Sequence, residues 1–155
     1  MELQYNLSGS TDMTDRAVRN ACRRLVLELL LVVLLAGAPV DFPRTVAAGR
    51  AWGFLGRHPS LLAHAVVGTL ILVEACALAM RTASASGRRW PVLAGLGLIC
   101  SAVAVGGGVV YVSARQTDAA LTWMTAGWLG ALGTFAVGWW LGRRAVRAPA
   151  GTGSA

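Results

Sequence analysis

Four apolar runs, separated by short segments that contain arginine, constrain this chain more than any other feature of its sequence. The runs cover about residues 25–40, 61–80, 90–112 and 121–142. A hydrocarbon core of about 30 Å takes roughly 20 helical residues, so the last three runs are long enough to cross a bilayer. Because backbone groups find no water there, such segments must be helical. The pattern predicts an all-α integral membrane protein with a bundle of four transmembrane helices.

The first run is the shortest and has two interpretations. It reaches spanning length if its helix extends through residues 21–24 on one side or towards Phe42 on the other, with the arginines extending to the lipid headgroups. Alternatively, arginines followed by an apolar stretch and small residues at 36–38 are typical of a cleaved signal peptide. Glu28 inside the run and Pro39 directly after the small residues favour an uncleaved span.

The composition agrees with a membrane protein. Hydrophobic residues make up 55% of the chain and charged residues 14%, against about 45–50% and about 25% in soluble domains. The net charge is +7, but all 14 basic residues are arginines that stand beside the apolar runs rather than on one face. This placement is typical of membrane flanks, so no nucleic-acid partner is expected.

The distribution of arginines predicts the orientation. Ten of them flank one side of the predicted membrane and four the other, and cytoplasmic flanks carry the excess of positive charge. Both termini are therefore expected in the cytoplasm. The membrane is expected to be the cell membrane, such as the inner membrane of a bacterium. The resulting organisation is a polar tail over residues 1–20, a transmembrane domain over 21–142, and a basic, then flexible tail over 143–155.

The first outer loop has an amphipathic segment over residues 47–55. It carries Trp52 and Phe54 between Arg50 and Arg57, a mixture suited to the headgroup layer. The sequence predicts a short interfacial helix there. Pro59 follows and is expected in the first turn of the second span, where proline is favoured.

Small residues recur at helical spacing in three of the runs. Helices in lipid associate through close backbone approach, which small side chains permit. The residues expected to pack helices together are Gly68 in the second run, Gly97, Ser101 and Gly108 in the third, and Gly127, Gly130, Thr134 and Gly138 in the fourth. The alternative is that one of these small-residue grooves docks another membrane protein or a second copy.

Two acidic residues fall within the apolar runs, where ionisable groups are costly. Glu28 lies one turn beyond Arg24, which predicts an ion pair within one helix. Glu74 has several possible partners, among them Arg81, Ser101 and Thr134. The alternative hypothesis is that Glu28 and Glu74 face one cavity and carry protons or a cation across the membrane.

One histidine also falls within an apolar run. His64 followed by Gly68 resembles the haem-binding helices of four-helix cytochrome-b-type proteins, in which small residues leave room beside an axial imidazole. The resemblance implies a haem or metal held by His64 and a second ligand, for which Met124 is the residue at matching depth. The alternative is a hydrogen bond from His64 to Tyr111 or to a loop carbonyl near the interface.

Several sequence motifs of soluble enzymes are missing. The sequence contains no phosphate-binding loop, nucleophile elbow or zinc-spaced cysteine motif. The function expected from these features is that of an accessory or subunit-like membrane protein with a membrane partner. A haem redox protein and a proton or cation transporter are the alternatives.

Overall fold

The computed structural model describes residues 2–36, 51–84, 88–113 and 117–147 of the chain. These residues form five helices: α1 (Glu2–Ala36), α2 (Ala51–Leu55), α3 (Pro59–Ala83), α4 (Arg89–Ser113) and α5 (Asp118–Arg147). Within the described ranges no residue lies in a strand. The prediction of an all-α protein is therefore confirmed.

Three helices are long and apolar enough to cross a membrane. They are α3, α4 and the part of α5 that ends at Arg144. These helices contain the predicted spans 61–80, 90–112 and 121–142 and extend one to five residues beyond each end. The apolar runs thus identify three of the helices well.

α1 begins earlier than the sequence predicts. The tail predicted over residues 1–20 is helical from Glu2 onwards. Residues 2–36 contain no proline, and helix propagation from an existing helix is far easier than nucleation, so the apolar part extends through the polar part. The predicted first span runs to residue 40, and residues 37–40 lie outside the described residues.

The short α2 falls within the interfacial helix predicted over residues 47–55, of which 47–50 lie outside the described residues. Phe54 of α2 is buried, and its ring centroid lies 4.7 Å from that of His58. His58 is the residue before α3, and Pro59 occupies the first turn, as predicted. α2 therefore packs directly against the start of α3.

The start of α5 is capped by a side chain. The Thr117 hydroxyl accepts a hydrogen bond from the backbone N–H of Ala120 at 3.3 Å. Asp118 supplies a negative charge in the first turn, where it interacts favourably with the helix dipole. These two residues fix where α5 begins after the connection from α4.

The four long helices pack side by side in a closed ring. α1 contacts α3, α3 contacts α4, α4 contacts α5, and α5 contacts α1. Neighbours are antiparallel: on α1 and α3, Arg24 pairs with Glu74 and Val32 with His64. We call the end that holds residues 15–24 of α1 and the end of α5 the arginine end, and the opposite end the loop end.

The interior of the bundle is tightly filled. Leu25 of α1, Ala75 of α3, and Ala131 and Phe135 of α5 are at most 1% exposed. A space near the arginine end, lined by Phe135 and Cys22 among others, leaves no volume that a water molecule could occupy. The four long helices therefore interact through direct side-chain packing.

The outer surface of the bundle is also apolar. Leu34 of α1 is 76% exposed, Val73 of α3 59%, Ile99 of α4 62% and Trp123 of α5 64%. A helix that is apolar on its outer as well as its inner face is typical of a membrane span. This surface agrees with the three helices long enough to cross a membrane.

Candidate functional site

An arginine on α1 joins the two acidic residues that the sequence places in the apolar runs. Arg24 Nη2 lies 2.7 Å from Glu74 Oε2 on α3, and Arg24 Nε donates a hydrogen bond to the same oxygen at 2.8 Å. Glu28, one turn further along α1, places its Oε1 3.9 Å from Arg24 Nε. The structure therefore brings Glu28 and Glu74 together around one guanidinium.

The partner of Glu74 differs from those that the sequence suggests. The hydroxyls of Ser101 and Thr134 donate at 2.8 and 2.7 Å to carbonyl oxygens four residues earlier in their own helices, a common arrangement for hydroxyls in apolar helices. Glu74 pairs with Arg24 on the neighbouring helix rather than with Arg81. The antiparallel register of α1 and α3 creates this pair, which no spacing within one helix reveals.

One oxygen of the acidic pair lacks a partner. Among the described residues, Glu28 Oε2 is the buried side-chain polar atom without a hydrogen bond. An unpaired polar atom in an apolar environment is costly, so this oxygen has unused capacity for a proton or a cation. No group of three histidine, cysteine, aspartate or glutamate side chains in the described ranges is placed to hold a metal ion. Transport through Glu28 and Glu74 stays a prediction.

The two residues predicted as haem ligands lie at different helix interfaces. His64 Nδ1 is 2.8 Å from the Val32 carbonyl oxygen of α1, so the ring N–H donates to a helix carbonyl rather than to Tyr111. Met124 of α5 lies against α4, where a Cβ added to Gly107 would be 2.6 Å from the Met124 nitrogen. The α1–α3 and α4–α5 interfaces are opposite sides of the ring. Haem ligation by this pair stays a prediction.

Glycines of α5 bring its backbone against α4. A Cβ at Gly127 would lie 2.5 Å from Ala104 N and 2.7 Å from the Cys100 carbonyl oxygen. A Cβ at Gly130 would lie 2.8 Å from Cys100 Sγ. Thr134, one turn further, is buried on the same side. These contacts leave no room for a larger side chain at either glycine.

Further along α5, the small residues face α1 instead of α4. A Cβ at Gly138 would lie 2.8 Å from Cys22 Sγ, and one at Gly142 would lie 2.7 Å from Arg19 Cβ. Residues four apart overshoot a helical turn by about 40°, because a turn holds about 3.6 residues. Between Gly130 and Gly142, the direction in which these positions point therefore changes by about 120° around the helix axis. One stripe of small residues serves two neighbouring helices.

The predicted packing residues of α3 and α4 have different surroundings. A Cβ at Gly97 would meet the Phe135 ring at 2.5 Å, whereas one at Gly108 would make only an ordinary contact of 3.6 Å with Met124 Sδ. A Cβ at Gly68 would have nothing within 4 Å. The sequence shows that these residues are small, but not which side of a helix faces a neighbour.

A polar contact at the arginine end was not anticipated from the sequence. Trp90 Nε1 donates to Asp15 Oδ1 at 2.7 Å, and Arg89 Nη2 lies 3.0 Å from Asp15 Oδ2. The contact links α1 to the start of α4, the two helices that face each other diagonally across the ring. Asp15 thereby satisfies the indole N–H of Trp90, which is 4% exposed.

Comparisons of this chain with protein families, with curated proteins and with solved structures find no match.

Proposed function

We propose that the chain crosses a cell membrane four times, with α1 as the first span. The apolar part of α1 runs beside α3 and α5, where Trp128 Nε1 donates to the Leu29 carbonyl at 2.9 Å. On its outer face Leu27 and Leu34 are 54% and 76% exposed, whereas Leu25 on the inner face is fully buried. These leucines lie beside three helices that are long and apolar enough to cross a membrane. Lipid that covers the leucines would remove the cost of exposing them to water.

The proposed orientation places the arginine end in the cytoplasm. Each long helix has at least one arginine at that end of the bundle: Arg19 of α1, Arg81 of α3, Arg89 of α4 and Arg143 of α5. Positively charged flanks stay preferentially on the cytoplasmic side. An even number of crossings then leaves both termini in the cytoplasm.

The proposed role is that of an accessory or subunit-like protein whose α4 docks a helix of another membrane protein or of a second copy. Gly95, Ile99, Ala102 and Gly106 recur at spacings of four, three and four, and so share one face of α4. A Cβ at Gly95 or Gly106 would have nothing within 4 Å, and Ile99 is 62% exposed. This stripe is the observation that carries the proposal.

The stripe lies opposite the face of α4 that packs inside the bundle. Ala94, Gly97 and Ser101 are buried on the inner face, and Gly95 and Gly106 lie roughly 100° to 180° away from them around the helix. α4 thus presents small residues on two sides, and the contacts within the chain use one of them. A second helix can approach the outer side closely, as small-residue interfaces in membranes permit.

A photo-crosslinking amino acid at Ile99 tests this role. In native membranes we expect a discrete protein adduct, because a docked helix would lie within reach of that side chain. The mass of the adduct separates a second copy from a different protein. The matched control places the same crosslinker at Leu129 of α5, which is 54% exposed and is expected to react with lipid. Equal protein adducts at both positions, or none at Ile99, would contradict the proposed docking face.

A further inference from the structure

At the arginine end, the contact between α1 and α5 is flanked by Arg19 and Arg23 of α1 and by Trp139 and Arg143 of α5, and we call this flank the α1–α5 groove. The Arg19 stem crosses Gly142, where an added Cβ would be 2.7 Å from Arg19 Cβ and 3.1 Å from its Cγ. Arg143 follows Gly142 directly, and its Cζ lies 5.8 Å from the Trp139 ring centroid. Arg23 is one turn after Arg19 on the same face of α1.

The charges of the groove are not balanced within the described part of the chain. Arg19, Arg23 and Arg143 have no acidic partner there, since the ion pairs of Asp15 and Glu74 engage arginines outside the groove. Like charges held side by side repel one another, and an anion between them removes that repulsion. Guanidinium groups match phosphate oxygens in geometry as well as in charge. The groove therefore favours a phosphate.

The surface above the charges is apolar. Leu27, Leu30 and Leu34 continue the face of α1 that carries Arg19 and Arg23, at spacings of four, four, three and four. These leucines are 54%, 46% and 76% exposed. One face of α1 thus offers cationic groups followed by a hydrocarbon-like strip, which is the order of headgroup and acyl chain in a phospholipid.

We propose that the α1–α5 groove binds an anionic phospholipid, with the headgroup phosphate between Arg19, Arg23 and Arg143 and an acyl chain along Leu27 and Leu30. This inference rests on the membrane placement proposed above, but it does not involve α4 or its partner. A groove of arginines between helices on the cytoplasmic side is the kind of site that selects anionic headgroups. The site would keep one lipid bound when the bulk bilayer is removed.

Native mass spectrometry of the full chain, released from vesicles of phosphatidylglycerol and phosphatidylcholine, tests the inference. The wild type is expected to retain phosphatidylglycerol in preference to phosphatidylcholine. The double variant Arg19→Gln/Arg143→Gln is expected to lose this preference by roughly ten- to thirtyfold, from the typical contribution of two arginines beside an anionic surface. The matched control Arg81→Gln/Arg88→Gln removes the same charge from the same end, outside the groove, and is expected to keep the preference.

Equal loss in both double variants, or equal retention of the two lipids by the wild type, would overturn the inference. So would complete displacement of the lipid by inorganic phosphate, which would make free phosphate the ligand. Arg143→Gln alone, at an exposed position, serves if the double variant does not fold, and is expected to lower the preference about three- to fivefold. Alkaline carbonate extraction of the same membranes separates this outcome from failure of the membrane placement, since only the latter releases the wild type.

Discussion

Replacing Gly127 with alanine is expected to destabilise the folded protein by about 2–3 kcal/mol, the upper range for overpacked sites. The added Cβ would lie 2.5 Å from Ala104 N and 2.7 Å from the Cys100 carbonyl oxygen. Both atoms belong to the α4 backbone, so no side-chain rotation relieves the clash. α4 and α5 would have to separate along an interface that includes several other close contacts. Unfolding in mixed detergent micelles, followed by helical circular dichroism, measures the loss.

Gly133→Ala is the matched control for Gly127→Ala. Gly133 lies on the same helix, and a Cβ there would have nothing within 4 Å. Alanine is a better helix former than glycine by about 1 kcal/mol, so this change is expected to be neutral or slightly stabilising. If both variants lose the same stability, the helix rather than the α4–α5 contact is responsible. A neutral Gly127→Ala would show that the two helices do not approach this closely.

Replacing Glu74 with leucine is expected to destabilise the protein by about 2 kcal/mol, less than an arginine costs at the bilayer centre, because Arg24 lies towards the arginine end and Glu28 Oε1 remains 3.9 Å away. The Arg24 side chain is 60% exposed, and in lipid that exposure provides no hydration. An ion pair with this exposure in water would contribute about 1 kcal/mol at most. The size of the loss in unfolding free energy therefore distinguishes lipid from water around the Arg24 side chain.

Two further variants, Arg24→Leu and Arg24→Leu/Glu74→Leu, complete a double-mutant cycle with Glu74→Leu. Arg24→Leu is expected to cost less than Glu74→Leu, because a carboxyl group left alone can take up a proton whereas a guanidinium stays charged. Arg24→Leu/Glu74→Leu removes both charges and is expected to lie within about 1 kcal/mol of the wild type. Unfolding free energies of the four proteins give the coupling. A loss below about 1 kcal/mol in Glu74→Leu, or additive losses, would show that water reaches the Arg24–Glu74 pair.

The sequence predicts the helices better than it predicts their contacts. Apolar runs identify α3, α4 and α5 because a segment that can cross lipid must be both long enough and helical. The start of α1 at Glu2 is missed, because residues 2–11 are mostly polar and contain no apolar run. Local composition therefore determines the spans, whereas the extension of a helix depends on its neighbouring segment.

The contacts depend on which face each helix turns towards its neighbours. The rotation of a helix about its own axis cannot be predicted from its apolar run alone. Gly68 and Gly127 are both small residues of apolar runs, yet a Cβ would be free at the first and would clash at the second. Likewise, Arg24 and Glu74 are 50 positions apart and meet only because α1 and α3 are antiparallel in one particular register. A spacing rule within one helix finds Glu28 beside Arg24, but it cannot find the partner across the interface.

Reporters placed before Glu2 and after Arg147 provide the most direct test of the four crossings. A fluorescent protein that matures only in the cytoplasm and a phosphatase that is active only outside it would be fused at each position in turn. Four crossings predict fluorescence and no phosphatase activity at both positions. Phosphatase activity at one position and fluorescence at the other would mean that α1 does not cross the membrane and would contradict the account.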